Sequence, residues 1–245
     1  MWGLEMKVTV SHIMGNNMNI TNTQVFGFEP ALRGMRNPMN SWHLQDSRCL
    51  YDYDLEELKT IGDELQWHPY VEQFTSGTFV IGEKDMNLAK RLIKAGPEHC
   101  KFLRQIQVWA DFDMPLYWWS EFDTYKFNTK NSCSTMHKLL NNKKEITIDS
   151  FVYDREDKMF MQVIVDQLNY LRHHYLESKD YNYVIRAKKL LPTSYKQLRT
   201  VNTNYAELIN IYHQRKNHRL KEEWQDVFCR WVEDLPYMNE FLNIK

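Results

Sequence analysis

The chain has 245 residues, 31 Lys and Arg against 32 Asp and Glu, and a formal net charge of −1. Its 43% apolar and 14% aromatic content excludes a disordered chain. A mean hydropathy of −0.62 without an apolar run near ~18 residues argues against a membrane-spanning helix, and the balanced charge gives no global field for nucleic acid or a lipid surface. Glycine (8) and proline (7) are both scarce, which favours helices over an all-β sandwich. Cys49, Cys100, Cys133 and Cys229 form no Cys-x-x-Cys pair, so neither a zinc site nor a disulfide framework is expected. Residues 1–7 lack the apolar segment of a signal peptide, and a cytoplasmic protein with reduced thiols is expected.

In chain order, residues 7–50 combine a strand-like piece at Val8–Ile13 with irregular sequence punctuated by Gly27, Pro30, Gly34 and Pro38. Tyr51–Leu65 has an acidic, helix-compatible pattern. Asp85 is the expected N-cap of a helix running through Ile93 and Lys94, with Gly96 just past its end. Residues 102–113 form the clearest strand: Ile106, Val108, Ala110 and Phe112 share one face, and Gln105, Gln107, Trp109, Asp111 and Asp113 the other. Pro115 then opens a short helix, Leu116–Phe122.

Asn141–Asp157 is polar and reads as a loop or short hairpin, and the second half of the chain reads as mostly helical. Phe160, Ile164, Leu168, Leu171 and Tyr175 make one apolar stripe. Leu191-Pro192 interrupts, Leu208, Ile211 and Tyr212 mark another helix, and Trp224, Val227, Phe228, Trp231, Val232 and Leu235 make a second stripe. Without repeats or linkers, one α+β domain over residues 1–245 is expected.

Glycine-rich phosphate loops and His-Glu-x-x-His are absent. His213 and His218 are five apart, and His173 and His174 are adjacent, spacings that diverge on a helix, so no metal site is expected. Cys133 and His137 would meet on one helical turn as a thiolate–imidazole pair, or Cys133 is simply a small apolar residue. Arg199, Arg215, Lys216, His218, Arg219 and Lys221, interleaved with Tyr205 and Tyr212, read either as an anion or nucleotide site or as a solvated helix face.

Three stretches together resemble the flavin-dependent thymidylate synthases. The family signature, Arg-His-Arg-x-x-Ser-x-Asn-Glu-x-Ser-x-Arg-Tyr, follows a strand, a proline and a short helix. Here the same place holds Thr124 to His137 without a gap; Asn131 and Ser134 match, and Lys126 and Thr129 are conservative replacements. Upstream, Leu92–His99 resembles the family's helix ending in a Gly-His-Glu turn. Downstream, Lys188 before Leu191-Pro192, then Asn204, Asn210 and Arg215, match the family's Arg, Asn, Asn and Arg, the last three on a long helix. The resemblance covers roughly residues 85–245; residues 1–84 are divergent or lineage-specific. Thr124, Tyr125, Ser132, Met136 and His137 depart from the signature. Lys126 and Lys130 keep its net charge of +2, but a lysine is a point charge without the guanidinium fork.

The resemblance implies an α+β fold with a mixed or antiparallel sheet, long helices and a helical C-terminal half. It implies a homotetramer that uses FAD, with NADPH and methylenetetrahydrofolate as co-substrates, to methylate C5 of deoxyuridine monophosphate without a cysteine nucleophile. Carried over, Glu121, Ser132, Ser134, Lys188 and Arg215 would bind the nucleotide, and Lys126, Asn131, Asn204, Asn210 and His218 the flavin. Glu121, an acceptor, would suit a base N–H better than a phosphate. The alternatives are a non-catalytic or altered-specificity relative that keeps the scaffold and binds a nucleotide or a protein partner, and a nucleic-acid-binding basic helix, which the missing basic excess disfavours.

Overall fold

The strand expected at 102–113 forms only from residue 107, where the even-numbered residues can all be buried at once; Lys101–Arg104 is instead a 3-10 turn. In the computed structural model, which describes residues 18–49, 79–141 and 144–244, β4 (Gln107–Pro115) buries Val108, Ala110, Phe112 and Met114. Gln107, Trp109, Asp111 and Asp113 occupy its other face. It pairs antiparallel on one side with β1 (Asn19–Phe26) and on the other with β6 (Lys196–Asn204), which in turn pairs with β5 (Thr129–Ser132). The sheet order is β1-β4-β6-β5, and every pairing is antiparallel. A second, two-stranded sheet joins β2 (Arg48–Cys49) to β3 (Phe79–Val80).

Helices cover one face of the larger sheet. They are α1 (Phe28–Met35), α2 (Glu83–Ala95), α3 (Leu116–Phe122), α6 (Tyr205–Arg215), a π-helix (Lys221–Cys229), α7 (Arg230–Glu233) and α8 (Met238–Leu242). Trp118, Trp119 and Phe122 of α3 lie against Phe112 of β4 and against Trp224 and Phe228 of the π-helix. Ring centroids are 4.9 Å apart for Trp118–Trp119 and 4.8 Å for Trp118–Trp224. A smaller second core lies between α4 (Lys158–Ser178), α5 (Asn182–Leu190) and the 139–151 segment. There Asn169 of α4 donates to Ile146 O (2.8 Å) and accepts from Ile146 N (3.0 Å), tying the loop to the helix.

Several expectations need correction. The 18–49 stretch is more regular than its punctuation suggests, since it contains β1 and α1. Val8–Ile13 and Tyr51–Leu65 lie outside the described residues. Asp85 does not cap α2. The helix begins at Glu83 after Gly82, and the side chain of Asp46 accepts from Lys84 N (2.8 Å) and Asp85 N (3.0 Å). A β-carbon on Gly82 would lie 2.3 Å from that carboxyl carbon, so this close approach requires glycine. Asp85 is instead fully buried. It pairs with Arg36 of the α1 terminus at 2.6 Å and accepts from Ser47 N (3.0 Å), Ser47 Oγ (2.6 Å) and Asp46 N (3.2 Å). Gly96 ends α2 as expected, at φ +117°.

The expected α4 stripe faces the second core at Ile164, Leu168, Leu171 and Tyr175 but not at its first residue. Met161, Val165, Leu168 and Leu171 face the core, while Phe160 is 66% exposed. The second half also contains β5 and β6 amid its helices, and Asn141–Asp157 is a loop with short 3-10 turns rather than a hairpin. The Trp224–Leu235 stripe is buried as expected, although its first part is π-helical. No helix of the described residues is long and apolar enough to cross a membrane.

Candidate functional site

The chain order strand, proline, short helix sets Glu121 on the last turn of α3, at the edge of the aromatic core. Residues 215–224 pass the same point at the end of α6 and the start of the π-helix, bringing three of the expected site residues together. Glu121 Oε2 accepts from Arg215 Nη1 (2.8 Å) and Trp224 Nε1 (3.1 Å) and lies 3.3 Å from His218 Nε2. The Leu220 amide donates to His218 Nδ1 at 3.2 Å, so in the neutral ring the proton sits on Nε2, toward Glu121. Arg215 Nε donates to Tyr125 Oη at 2.8 Å. The guanidinium lies 4.5 Å from the Trp224 ring centroid and 5.5 Å from that of Tyr125.

Arg215 is thus not an unengaged surface fork: its side chain is 17% exposed and its charge meets a carboxylate already in the chain. Glu121 is neutralised in the same way through Oε2, and among the described residues its Oε1 takes no hydrogen bond. Tyr125 and Trp224 complete the group. In the sequence they read only as a departure from the signature and as core. The legible signal for Trp224 is chemical, because a buried indole N–H needs an acceptor.

On the other side of α3, Asp123 accepts from Lys130 Nζ at 2.9 Å and from Arg199 Nη1 at 3.1 and 3.2 Å. Arg199 therefore stands apart from the basic run 215–221. Tyr205 is fully buried, with its hydroxyl on Pro236 O (2.8 Å), and Tyr212 donates to Glu233 at 2.5 Å, so these rings are structural rather than part of a nucleic-acid face. Burial pushes the Tyr212 phenol well up, and the Glu233 hydrogen bond adds to it. For Asp123, burial raises the carboxyl pKa, but the Lys130 hydrogen bond and the Arg199 charge outweigh it, and the net shift is downward. A depressed carboxyl stabilises the fold fully above the unfolded-state value and loses that contribution as pH falls through the folded-state value. Asp123→Asn should therefore melt below the wild type at pH 7, and the two melting curves should converge as the pH drops below about 4. A gap that stays constant down to pH 2.5 would deny the ion pairs this role.

The other expected residues are placed as follows. Lys188 Nζ donates to Thr135 Oγ1, beside Ser134, whose hydroxyl accepts from His137 N at 3.1 Å. Lys126 Nζ donates to Asp123 O at 3.2 Å; Asn131 and Ser132 lie on the exposed edge strand β5. Asn204 sits at the β6–α6 junction rather than on a helix, and its side-chain oxygen caps α6 by accepting from Glu207 N at 3.0 Å. The Asn210 oxygen accepts from Gln214 Nε2 at 2.9 Å. Both asparagines thus keep their oxygens occupied and present NH₂ donors, a donor set that fits the acceptor-rich edge of a flavin.

No hydrogen bond joins Cys133 to His137 among the described residues. They lie after β5 in a turn rather than on a helix. No group of three or more metal-ligating side chains occurs among the described residues. A cleft of about 500 Å³ opens elsewhere, between Lys90, Arg91 and Lys94 of α2 and the C-terminal Asn239, Glu240 and Asn243, and none of the expected site residues lines it.

No family model and no curated protein matches the chain. Solved structures do. The structure of thymidylate synthase X from Helicobacter pylori with FAD and dUMP has a TM-score of 0.61 and 17% identity, covering 89% of this chain and 93% of that one. A structure of the flavin-dependent thymidylate synthase of the same organism, complexed with FAD and dUMP, has a TM-score of 0.53 and 17% identity, covering 80% of this chain and 97% of that one. At this identity the likeness establishes a shared fold: the antiparallel sheet and its helical cover are built as in these enzymes.

Proposed function

We propose that the chain is a flavin-dependent thymidylate synthase-like enzyme that transfers a one-carbon unit to C5 of a deoxyuridine monophosphate-type nucleotide. The observation that carries this reading is the meeting of Glu121, Arg215 and His218 at one point of a shared fold, although 94 residues separate Glu121 from Arg215. When bound, a flavin supplies the redox chemistry. The chain's own residues then bind and orient. Arg215 holds the nucleotide's anionic side and Glu121 Oε1 accepts from a base N–H. Ser132, Ser134 and Lys188 add polar contacts, and Lys126, Asn131, Asn204, Asn210 and His218 line the flavin. NADPH and methylenetetrahydrofolate would be the co-substrates. The reading takes the whole chain as one domain of a cytoplasmic homotetramer: Lys188 contacts Thr135 rather than the Glu121 cluster within one chain, and a site shared between subunits would bring the two together.

A non-catalytic relative is the second reading. It is favoured by Thr124, Ser132 and Met136 at signature positions and by the internal pairing of Arg215 with Glu121. One measurement separates the two. Protein purified and dialysed against FAD should keep a yellow chromophore at close to one per chain, and light scattering at micromolar concentration should give four times the chain mass. Colourless protein that still binds the nucleotide would establish the second reading, and a monomer would remove the shared-site argument.

A further inference from the structure

The cleft between α2 and α8 holds side chains that the proposed nucleotide and flavin sites do not use. It encloses about 500 Å³ between two facing walls. Lys90, Arg91 and Lys94 stand at i, i+1 and i+4 on α2, and Asn239, Glu240 and Asn243 repeat that spacing along α8 and its end. At this spacing the last residue of each set neighbours the other two on the helix surface.

The walls differ in chemistry. Among the described residues, the side chains of Lys90, Arg91 and Lys94 form no ion pair or hydrogen bond, and Glu240 across the cleft forms none either. Like charges at Lys90 and Lys94 destabilise a helix, and no ion pair among the described residues offsets them. Asn239 Nδ2 donates to Glu233 O at 3.0 Å and Asn243 Nδ2 to Asn239 O at 2.9 Å. Their amide oxygens are left, with the Glu240 carboxylate, as acceptors. One wall therefore donates and is positive; the other accepts and is negative. Both are held in advance of a ligand. The Asp85–Arg36 pair fixes α2, and Phe241 of α8 is buried with its ring centroid 6.3 Å from those of Phe102 and Tyr205. Walls already in place lower the ordering cost of binding.

We propose that this cleft binds a short acidic peptide, with carboxylates on Lys90, Arg91 and Lys94 and its terminal ammonium and amide N–H groups on Glu240, Asn239 and Asn243. Arg91 supplies a fork for one carboxylate, and the lysines act as point charges. The volume suits a ligand of several residues rather than a single ion. A phosphate group would use the cationic wall alone and would be repelled by Glu240. No residue assigned to the nucleotide or flavin lines the cleft, so the inference stands apart from that function.

The test is calorimetric titration of the full chain, at constant ionic strength, with triglutamate, with N-acetyl-triglutamate and with tricarballylate, a tricarboxylate that has no N–H. Saturable binding of triglutamate at one site per chain is expected, tighter than either of the other two. Arg91→Gln and Lys94→Gln should each weaken it several-fold, and the double variant by about 10-fold or more. Glu240→Gln should abolish the preference for the free ammonium over the acetylated form, which a merely basic surface does not predict. Circular dichroism checks folding; if Arg91→Gln does not fold, Lys94→Gln and Glu240→Gln decide. No saturable binding of triglutamate, equal binding of tricarballylate, or affinities that Lys94→Gln and Glu240→Gln leave unchanged would overturn the site.

Discussion

Arg215→Ala should weaken deoxyuridine monophosphate by roughly 10- to 150-fold, the effect of losing a charge-assisted contact of about 1.5–3 kcal/mol. It should also destabilise the fold by about 1–3 kcal/mol, unlike an ordinary surface substitution. The second effect follows from the geometry. The substitution removes the cation 2.8 Å from Glu121 and the contact with the Trp224 ring, leaving the carboxylate with His218 and an indole N–H. Arg215→Lys should recover part of the stability and less of the binding, since an ammonium cannot bond both Glu121 and Tyr125 in the plane of a fork. Titration of the three proteins and urea unfolding separate the effects. A stability loss with unchanged nucleotide affinity would make Arg215 a structural residue.

The largest loss of stability should come from Asp85→Ala, at about 3–5 kcal/mol, the cost of stranding one member of a buried ion pair. Asp85 is fully buried and Arg36 is 3% exposed, so neither charge regains water when the other is removed. The same carboxylate collects Ser47 and the Asp46 amide, so the substitution also releases the 46–47 segment, and Asp46 caps α2. One Arg36 nitrogen, Nη2, is buried without a hydrogen bond, which leaves the pair no reserve. Urea unfolding should move to a lower midpoint with an unchanged slope. A midpoint within 1 kcal/mol of wild type would mean that the segment relaxes and rehydrates Arg36.

The sequence was legible where one physical demand decided the structure. β4 alternates because one face is sealed by helices and the other is not. α3 starts at Pro115, and Gly96 ends α2, because their backbone preferences are local. β6 was hidden because its inward positions include Gln197 and Thr203, whose polar groups find distant partners. The Gln197 side-chain Nε2 donates to Cys133 O at 2.6 Å, and Thr203 Oγ1 donates to Phe127 O at 3.3 Å, while the apolar Leu198 faces outward. Asp85 read as a cap because the true cap arrives from Asp46, far away in the chain. At the start of α4, Phe160 read as part of the core stripe because Met159, Phe160 and Val163 add a second, exposed apolar side to the same helix. Of the candidate site, the order and spacing of Glu121, Arg215 and His218 could be read. Tyr125 and Trp224 could not, because each is defined by a contact across the fold, and Arg199, read with the basic run 215–221, belongs instead with Asp123.

The distribution of tryptophan gives the two cores separate optical signatures. Trp118, Trp119, Trp224 and Trp231 all lie in the core under the larger sheet, whereas the α4–α5 core contains Phe151 and several tyrosines. None of the eight tryptophans falls in residues 120–223, so indole fluorescence does not report the α4–α5 core directly, while far-ultraviolet ellipticity includes the 21-residue α4 and its partner α5 along with the other helices. Recording both bands during one melt reveals directly whether the helical hairpin and the sheet dissolve as one cooperative unit or in succession.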